Sequence, residues 1–434
     1  MRTVFEYLKA LQLEPFWQQL LAAAAVVVIA ALVFVVALTI AGLLVVVERR
    51  VAGRVQSRIG PNRVGPLGLL QWLADGLKLI MKEDVIPAAA DQPLFRLAPY
   101  LVMVGVFSAF ASVPFGMYLI AADVNVGVLF ILAITSLGTV GILMSGWASN
   151  NKWSLLGGIR SAAQIVSYEV PALLGALSPV LLAGTLQMSG TESEPGIVAL
   201  QGGWPWQWFV FRNPCALGAF FVYFIAAVAE GNRTPFDLPE AESELVAGFN
   251  TEYSGMRFAG FFLAEFANVY LVSAVATTLF FGGWQVPGLS LAEQAGDPRW
   301  IILGLVIFVA KASIFCFVIV WLRWTLPRLR VDQLMGLCYR YLLPLGLLCL
   351  LGNAALVLVA SEGSTVDWVL RLLTLVPAAA VLVLFFWRVS YHIRRVGDRV
   401  DLDLLARGVK GRFHPERHRH YGKLASPTGK GVTQ

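Results

Sequence analysis

The chain has 434 residues, of which 58% are hydrophobic and only 14% are charged. A soluble domain is nearer half apolar and a quarter charged, so this composition excludes a soluble protein and indicates one embedded in a lipid bilayer. The net charge of +6 indicates how a membrane protein is oriented and gives no reason to expect a nucleic-acid partner.

Apolar runs long enough to cross a bilayer recur along the sequence. A helix needs about 20 apolar residues to cross a hydrocarbon core roughly 30 Å thick, and continuous runs favour helices over barrel strands. We therefore predict an all-α polytopic integral membrane protein. Nine runs qualify, at Leu20–Val47, Leu97–Leu119, Val126–Trp147, Ser161–Leu186, Cys215–Ala229, Phe258–Phe281, Ile301–Leu322, Tyr341–Ala360 and Val366–Val389.

Basic residues divide the connecting loops into two sets. If successive loops alternate between the two sides of the membrane, most of the 33 Lys and Arg fall in residues 48–96, 148–160, 230–257, 323–340 and the C-terminal tail. Cytoplasmic loops carry the excess of Lys and Arg. This set is therefore predicted to be cytoplasmic, and the N-terminus periplasmic.

The pattern of the first cytoplasmic loop predicts a helix within it. The turn cluster GPNRVGP lies in the first part of the loop, and its glycine and proline residues prevent the preceding helix from continuing. Apolar residues then recur at helical spacing, at Leu69, Leu70, Leu73, Leu77 and Ile80. The pattern predicts an amphipathic helix in the membrane interface, and it fits equally a surface helix that packs on a partner subunit.

Four charged residues lie within the apolar runs: Glu169, Glu265, Lys311 and Arg371. A charge at mid-bilayer costs roughly 2.5 to 3.5 kcal/mol even on the most lenient scale, so each should face the protein interior or a water-filled cavity. The alternative for the two basic residues is a structural ion pair between helices. Pro171 follows Glu169 closely and predicts a kink beside that acid.

Residues 229–257 place an excess of acid between two apolar runs. The segment reads AEGNRTPFDLPEAESELVAGFNTEYSGMR and has only Arg233 and Arg257 to oppose its carboxylates. Carboxylates that converge in a low dielectric have coupled pKa values, as a proton relay that responds to a redox event requires. The six acids are Glu230, Asp237, Glu240, Glu242, Glu244 and Glu252.

Four stretches resemble one known family. They are ERRVAGRVQSRIGPNRVGPLGLLQWLADGLKLIMKED, SYEVP, AEGNRTPFDLPEAESELVAGFNTEYSGMRFAGFFLAEF and WLRWTLPRLRVDQLM. Together they resemble the quinone-side membrane subunit of respiratory complex I, the proton-pumping NADH:quinone oxidoreductase. The third stretch is long and unusual, which makes the resemblance very specific.

The resemblance implies a quinone chamber whose wall is formed by the first and sixth membrane helices and the amphipathic helix. The quinone headgroup would react in an adjoining hydrophilic subunit, beside the terminal iron–sulfur cluster. Residues expected to line the chamber are Glu48, Arg49, Arg58, Asp75 and Phe261. Residues expected to couple quinone reduction to proton movement are Arg160, Tyr168, Glu169, Glu230, Arg233, Asp237, Glu240, Glu242, Glu244, Glu252, Glu265 and Lys311.

The sequence departs from the family pattern in two places. Phe266 stands where the family often has tyrosine, and a ninth span follows the usual eight. We therefore predict a family-like membrane domain over residues 1–360, an extra transmembrane helix over 361–389 and a basic cytoplasmic tail over 390–434.

The predicted function is that of a membrane subunit of proton-translocating NADH:quinone oxidoreductase in a bacterial inner membrane. NADH, FMN and the iron–sulfur clusters would belong to partner subunits, and the small membrane subunits next to this chain would lead to antiporter-like pumps. The four cysteines form no C-x-x-C pair, so we predict no metal site in the chain and interpret them as buried packing residues.

Two other functions are compatible with parts of the sequence. One is a related membrane subunit of an energy-converting hydrogenase or a ferredoxin-driven complex. The other is a secondary transporter, which the charges within the membrane runs would suit but the missing internal repeat argues against.

Overall fold

The computed structural model describes residues 15–190, 195–238, 245–359 and 365–395. Within these ranges the chain folds into helices joined by loops, and one isolated β-bridge joins Gly190 to Pro195. The prediction of an all-α polytopic membrane protein is confirmed. The predicted tail lies outside the described residues from residue 396 onward.

Ten helices form the framework of the described part. They are α1 Pro15–Val55, α2 Gln71–Met81, α3 Gln92–Ala109, α4 Gly127–Ala148, α5 Lys152–Ala183, α6 Pro214–Glu230, α7 Gly255–Phe280, α8 Pro298–Thr325, α9 Val331–Val359 and α10 Thr365–Arg395. α4 is interrupted at Ser136, and α9 contains a π-helical turn at Leu337–Leu342. Short helices at Ile197–Leu200 and Leu291–Gly296 lie in loops.

The nine predicted spans correspond to α1 and to α3 through α10. Eight of these helices are long and apolar enough to cross a membrane, and α6 is shorter at 17 residues. Its length of about 25 Å falls a little short of the hydrocarbon core. Neighbouring helices bury most of its side chains, so α6 lies inside the protein with little exposure to lipid.

Burial identifies α7 as the central helix. Of its most apolar 18-residue window, 72% is buried, against 6% for the corresponding windows of α1 and α10. α7 contacts α1, α2, α3 and α8. The two terminal helices therefore lie at the periphery, and α7 connects the elements that carry the site.

The loops predicted to be cytoplasmic meet at one end of the bundle. The Asn151 side-chain amide donates to Glu252 Oε1 at 2.6 Å. The backbone N–H of Val85 donates to Ser254 Oγ at 3.0 Å. These contacts join three loops of the predicted cytoplasmic set into a single surface.

α10 is fixed at the opposite end of the bundle. Arg371 pairs with Asp367 one turn earlier, at 3.0 Å, and donates to the carbonyl oxygen of Trp206 at 3.3 Å. Thr374 Oγ1 donates to the carbonyl oxygen of Phe211 at 2.7 Å. Arg371 thus makes its ion pair within one helix, and it attaches the start of α10 to the α5–α6 loop.

The amphipathic helix α2 packs on α1 through Trp72. A Cβ atom built on Gly42 of α1 would lie 2.5 Å from Trp72 Cε3, so the indole ring rests directly on the glycine. The apolar side chains of Leu77 and Ile80 are each 62% exposed, and neither α1 nor α7 covers them. An exposed apolar face of this kind suits either an interfacial helix or contact with another subunit.

We predict that the substitution Gly42→Ala loosens α2. The new methyl group must displace the Trp72 ring, and overpacking of this kind costs about 1 to 3 kcal/mol. Backbone amides of residues 71–81 should then exchange hydrogen for deuterium faster than in the native protein. The control is Gly76→Ala, whose Cβ meets nothing within 4 Å; exchange that is equally fast in both variants would contradict the contact.

Candidate functional site

A buried arginine joins three parts of the protein at the end of the bundle. The Arg233 side chain, in the loop after α6, is only 3% exposed. Its Nη1 lies 3.3 Å from Glu48 Oε2 on α1, and its Nε lies 3.1 Å from Glu265 Oε1 on α7. The guanidinium also lies over the Phe266 ring, 4.1 Å from its centroid, which is a cation–π contact.

Two further arginines reach this cluster, one from the last turn of α8 and one from the loop that follows α8. Arg323 Nη1 lies 2.5 Å from Glu48 Oε1, and Arg328 Nη2 lies 3.1 Å from Asp237 Oδ2. The sequence analysis assigned neither arginine to the site. The spacing of basic residues in WLRWTLPRLR was the available signal, but it does not reveal which acids they meet.

Asp237, one acid of this loop, is therefore neutralised from outside the loop's own sequence. Burial raises the pKa of the Asp237 carboxyl, and the guanidinium groups of Arg328, Arg323 and Arg233 oppose that rise. In the cluster, three carboxylates face three guanidinium groups. An isolated buried ion is costly and a paired one much less so, so Arg323 and Arg328 stabilise the buried carboxylates of the cluster.

Polar contacts from α5 hold the loop after α6 in place. The Gln164 side-chain amide donates to the carbonyl oxygens of Ala229 and Phe236, each at 2.7 Å. Asn232 has a φ of +50°, a left-handed conformation that asparagine tolerates better than most residues. Its amide donates to Ser161 Oγ at 3.1 Å. The start of the loop is thus fixed against α5 before the chain reaches Arg233.

A cavity of about 60 Å³ lies next to the arginine cluster. Glu230 and Glu265 both line it, and Phe261 lies on its apolar side. Glu169 of α5 lies beside Thr139, another lining residue, and is close enough to Glu230 to interact electrostatically. The predicted acids of helices α5, α6 and α7 are therefore brought together. A cavity of this size has room for a few water molecules.

Most of the residues predicted to line the chamber lie near α1 and α2. Arg49 forms an ion pair with Asp75 of α2, and the Gln71 amide donates to the other Asp75 oxygen at 3.1 Å. Arg58 is exposed and donates to Gln56 at 2.6 Å, so it is not drawn into this pair. Glu48 lies in the arginine cluster. It therefore connects the residues predicted to line the chamber with those predicted to couple quinone reduction to proton movement.

The remaining predicted residues lie in different surroundings. The buried Tyr168 hydroxyl donates to the carbonyl oxygen of Leu334 on α9 at 2.9 Å, and Arg160 lies two turns earlier in α5. Glu252 is partly buried and accepts its hydrogen bond from Asn151, where two of the loops meet. Lys311 lies on α8, next to the opposite end of α7. Its Nζ donates to the carbonyl oxygens of Phe281 and Gly283, just after α7, at 2.8 and 3.1 Å. It is therefore not brought together with the acids that lie beside the cavity.

Three predicted acids, Glu240, Glu242 and Glu244, lie outside the described residues. Among the residues that the structure does describe, no group of three or more His, Cys, Asp or Glu side chains could hold a metal ion. Cys316, Cys338 and Cys349 are buried, whereas Cys215 is partly exposed. The site is thus built from carboxylates, guanidinium groups and amides.

Comparison with known proteins gives consistent results. A model of the NADH dehydrogenase family matches residues 27–354, which ends before α10. A subunit of the NADH-quinone oxidoreductase of Anaeromyxobacter dehalogenans is 50% identical over 373 residues, covering 83% of this chain and 89% of that protein. The subunit of the same name from Chlorobaculum parvum is 50% identical, covering 69% and 83%. The subunit of the same name from Frankia alni is 48% identical, covering 78% of this chain and 72% of that protein.

The family match extends over every residue of the arginine cluster and of the cavity, from Glu48 to Arg328. By its matched length and by its identity to these relatives, the chain belongs to the NADH dehydrogenase family, together with these subunits of bacterial NADH-quinone oxidoreductases.

Proposed function

We propose that this chain is the membrane subunit of a proton-translocating NADH:quinone oxidoreductase, in which it forms the wall of the quinone chamber and couples quinone reduction to proton movement. The observation that carries the proposal is Arg233, whose guanidinium contacts Glu48 on one side and Glu265 on the other. Glu48 belongs to the proposed chamber side, and Glu265 lines the cavity beside the arginine cluster.

The proposed chamber wall consists of α1, α2 and α7, which contact one another. Along it, Glu48, the Arg49–Asp75 pair and Phe261 would face the quinone path, with Arg58 at its exposed edge. These three helices contact one another and carry both the polar Arg49–Asp75 pair and the apolar Phe261 ring, which supports a passage for a molecule that has a polar head and an apolar tail.

The proposed coupling runs through charge. Two unit charges about 4 Å apart interact by roughly 4 kcal/mol at an effective dielectric constant of 20. A charge that appears or disappears beside Glu48 would therefore change the balance around Arg233 and, through it, act on Glu265. From there the cavity leads to Glu230, which interacts electrostatically with Glu169. Lys311 is proposed to hold the far end of α7.

Partners and cofactors follow from the same proposal. NADH, FMN and the iron–sulfur clusters would be bound by other subunits, and quinone would be the only substrate to reach this chain. The interlocked loops beside the arginine cluster would face the cytoplasm and receive the hydrophilic quinone-site subunit. Other membrane subunits and lipid would cover the remaining apolar faces, and the assembly would lie in the bacterial plasma membrane.

The relatives' names favour the NADH–quinone pairing over the hydrogenase and ferredoxin-driven alternatives. No observation on the described residues favours a secondary transporter over a subunit of a redox complex.

The assembly purified from native membranes with its partners is expected to oxidise NADH and reduce quinone, and quinone-site inhibitors should block both activities. A quinone that carries a photoreactive group should label α1, α7 or residues 65–82, since these would line its path. Heat-inactivated assembly is the control for adventitious labelling. Absence of NADH-driven quinone reduction, or labelling confined to α10, would contradict the proposal.

The coupling acids are expected to be essential for both activities. In the assembled complex, Glu265→Gln or Glu230→Gln should lower quinone reduction and proton pumping by roughly 100-fold or more, the low end of what a proton-transferring side chain contributes. Assembly should stay intact, because glutamine keeps the shape of glutamate. Glu293→Gln, at an exposed position outside the cavity, is the matched control; full pumping in both test variants would refute the relay.

Arg323 should matter because it neutralises Glu48. Arg323→Met is expected to lower the free energy of unfolding of the complex by about 1.5 to 3 kcal/mol, the usual contribution of a hydrogen bond to a charged group. Arg323→Lys should lower the free energy of unfolding by less. In a Glu48→Gln background, Arg323→Met should also lower it by clearly less, since the carboxylate charge that Arg323 neutralises is then absent. Thermal unfolding of Arg323→Met, Arg323→Lys, Glu48→Gln and the double variant measures these losses of stability. Losses that simply add in the double variant would contradict the Glu48–Arg323 pair. Arg299→Met, at the far end of α8, is the control.

A further inference from the structure

The kink in α5 leaves one backbone group without its usual partner. Pro171 has no N–H, so the carbonyl oxygen of Ser167, four residues earlier, cannot accept its helical hydrogen bond. A buried carbonyl without a donor is costly. The affected turn, residues 167–171, contains Glu169, one of the acids of the proposed coupling path.

Helix α9 supplies the missing donor. The Cys338 thiol, fully buried, donates to the Ser167 carbonyl oxygen at 3.1 Å. The Tyr339 hydroxyl shares a hydrogen bond of 3.0 Å with Ser167 Oγ. One turn earlier, the Leu334 carbonyl oxygen accepts from the Tyr168 hydroxyl. Three contacts from α9 therefore converge on the two residues that precede Glu169.

These contacts come from the irregular part of α9. Cys338 and Tyr339 both lie in the π-helical turn Leu337–Leu342. A π-turn inserts an extra residue into a helix, is rare, and occurs frequently at functional sites. Here it presents two consecutive side chains to the same residue of α5, one to the backbone of Ser167 and one to its hydroxyl.

The opposite side of the same α5 segment is fixed by the acidic loop. Gln164 binds the backbone of that loop at Ala229 and Phe236, and the Tyr168 ring packs on Phe236 with centroids 5.9 Å apart. Glu169 thus follows directly from a segment clamped between α9 and the loop that carries Arg233. A functional side chain needs such support to keep its geometry within about 0.5 Å.

We infer that Cys338 and Tyr339 are positioning residues that hold the Pro171 kink, and thereby keep the Glu169 carboxylate in register with Glu230. The inference rests on the proposed function, in which Glu169 takes part in coupling. It assigns the π-turn of α9 a role as the clamp of α5.

A double-mutant cycle between Cys338 and Pro171 tests the clamp in the assembled complex. Cys338→Ala is expected to lower quinone-dependent proton pumping by about 2- to 10-fold, the range of one hydrogen bond, whereas Cys338→Ser, which keeps a donor, should retain most of it. In a Pro171→Ala background, the new N–H of residue 171 takes the Ser167 carbonyl. Cys338→Ala should then have no further effect. Tyr339→Phe should give a smaller loss, because Ser167 Oγ keeps its bond to Ala163.

A spectroscopic readout separates the clamp from the proposed function. The S–H stretching band of Cys338, identified by its disappearance in Cys338→Ser, should move toward that of a free thiol in Pro171→Ala. Cys215→Ala, a substitution on α6 away from the clamp, should leave pumping and this band unchanged. An unshifted band, or an equal loss from Cys338→Ala in both backgrounds, would overturn the clamp. Full pumping by Glu169→Gln would instead refute the role of Glu169 and leave the band test valid.

Discussion

The architecture around the site depends on one constraint: a buried guanidinium must be neutralised by carboxylates that the fold brings to it. Arg233 is almost fully buried and sits between Glu48 and Glu265. An ion removed from water without a partner costs several kcal/mol, so α1, α7 and the loop after α6 are held at fixed separations. Arg323 extends the same requirement to α8.

This constraint explains why the acids of the chain are arranged as a series. Asp237 is paired with Arg328, whereas Glu265 both pairs with Arg233 and lines the cavity. Glu230 lines the same cavity and interacts with Glu169. In the proposed coupling path, Glu265 therefore joins the acids that are paired with arginine to those at the cavity. The π-turn of α9 supports Glu169 through α5.

The sequence predicts the helices well because the bilayer imposes a length and an apolar composition on each of them. The amphipathic helix could also be predicted from the sequence, since its pattern is local. The pairing of charged residues could not be predicted. Arg323 lies 275 residues from Glu48, and no local pattern indicates which arginine faces which acid. The same holds for Lys311, whose position in an apolar run gave no sign that backbone carbonyls at the end of α7 would receive it. Nor does the motif SYEVP indicate that a thiol from α9 completes the kink beside its proline.

The pairing of Glu48 also constrains the order in which the protein can be made. Glu48 is synthesised with the first helix, yet Arg233 follows 185 residues later and Arg323 follows 275 residues later. Until both have emerged from the ribosome, the carboxylate near the end of α1 has neither of its cations. The ion cluster is therefore completed late in biosynthesis, although its acid is among the earliest parts of the chain.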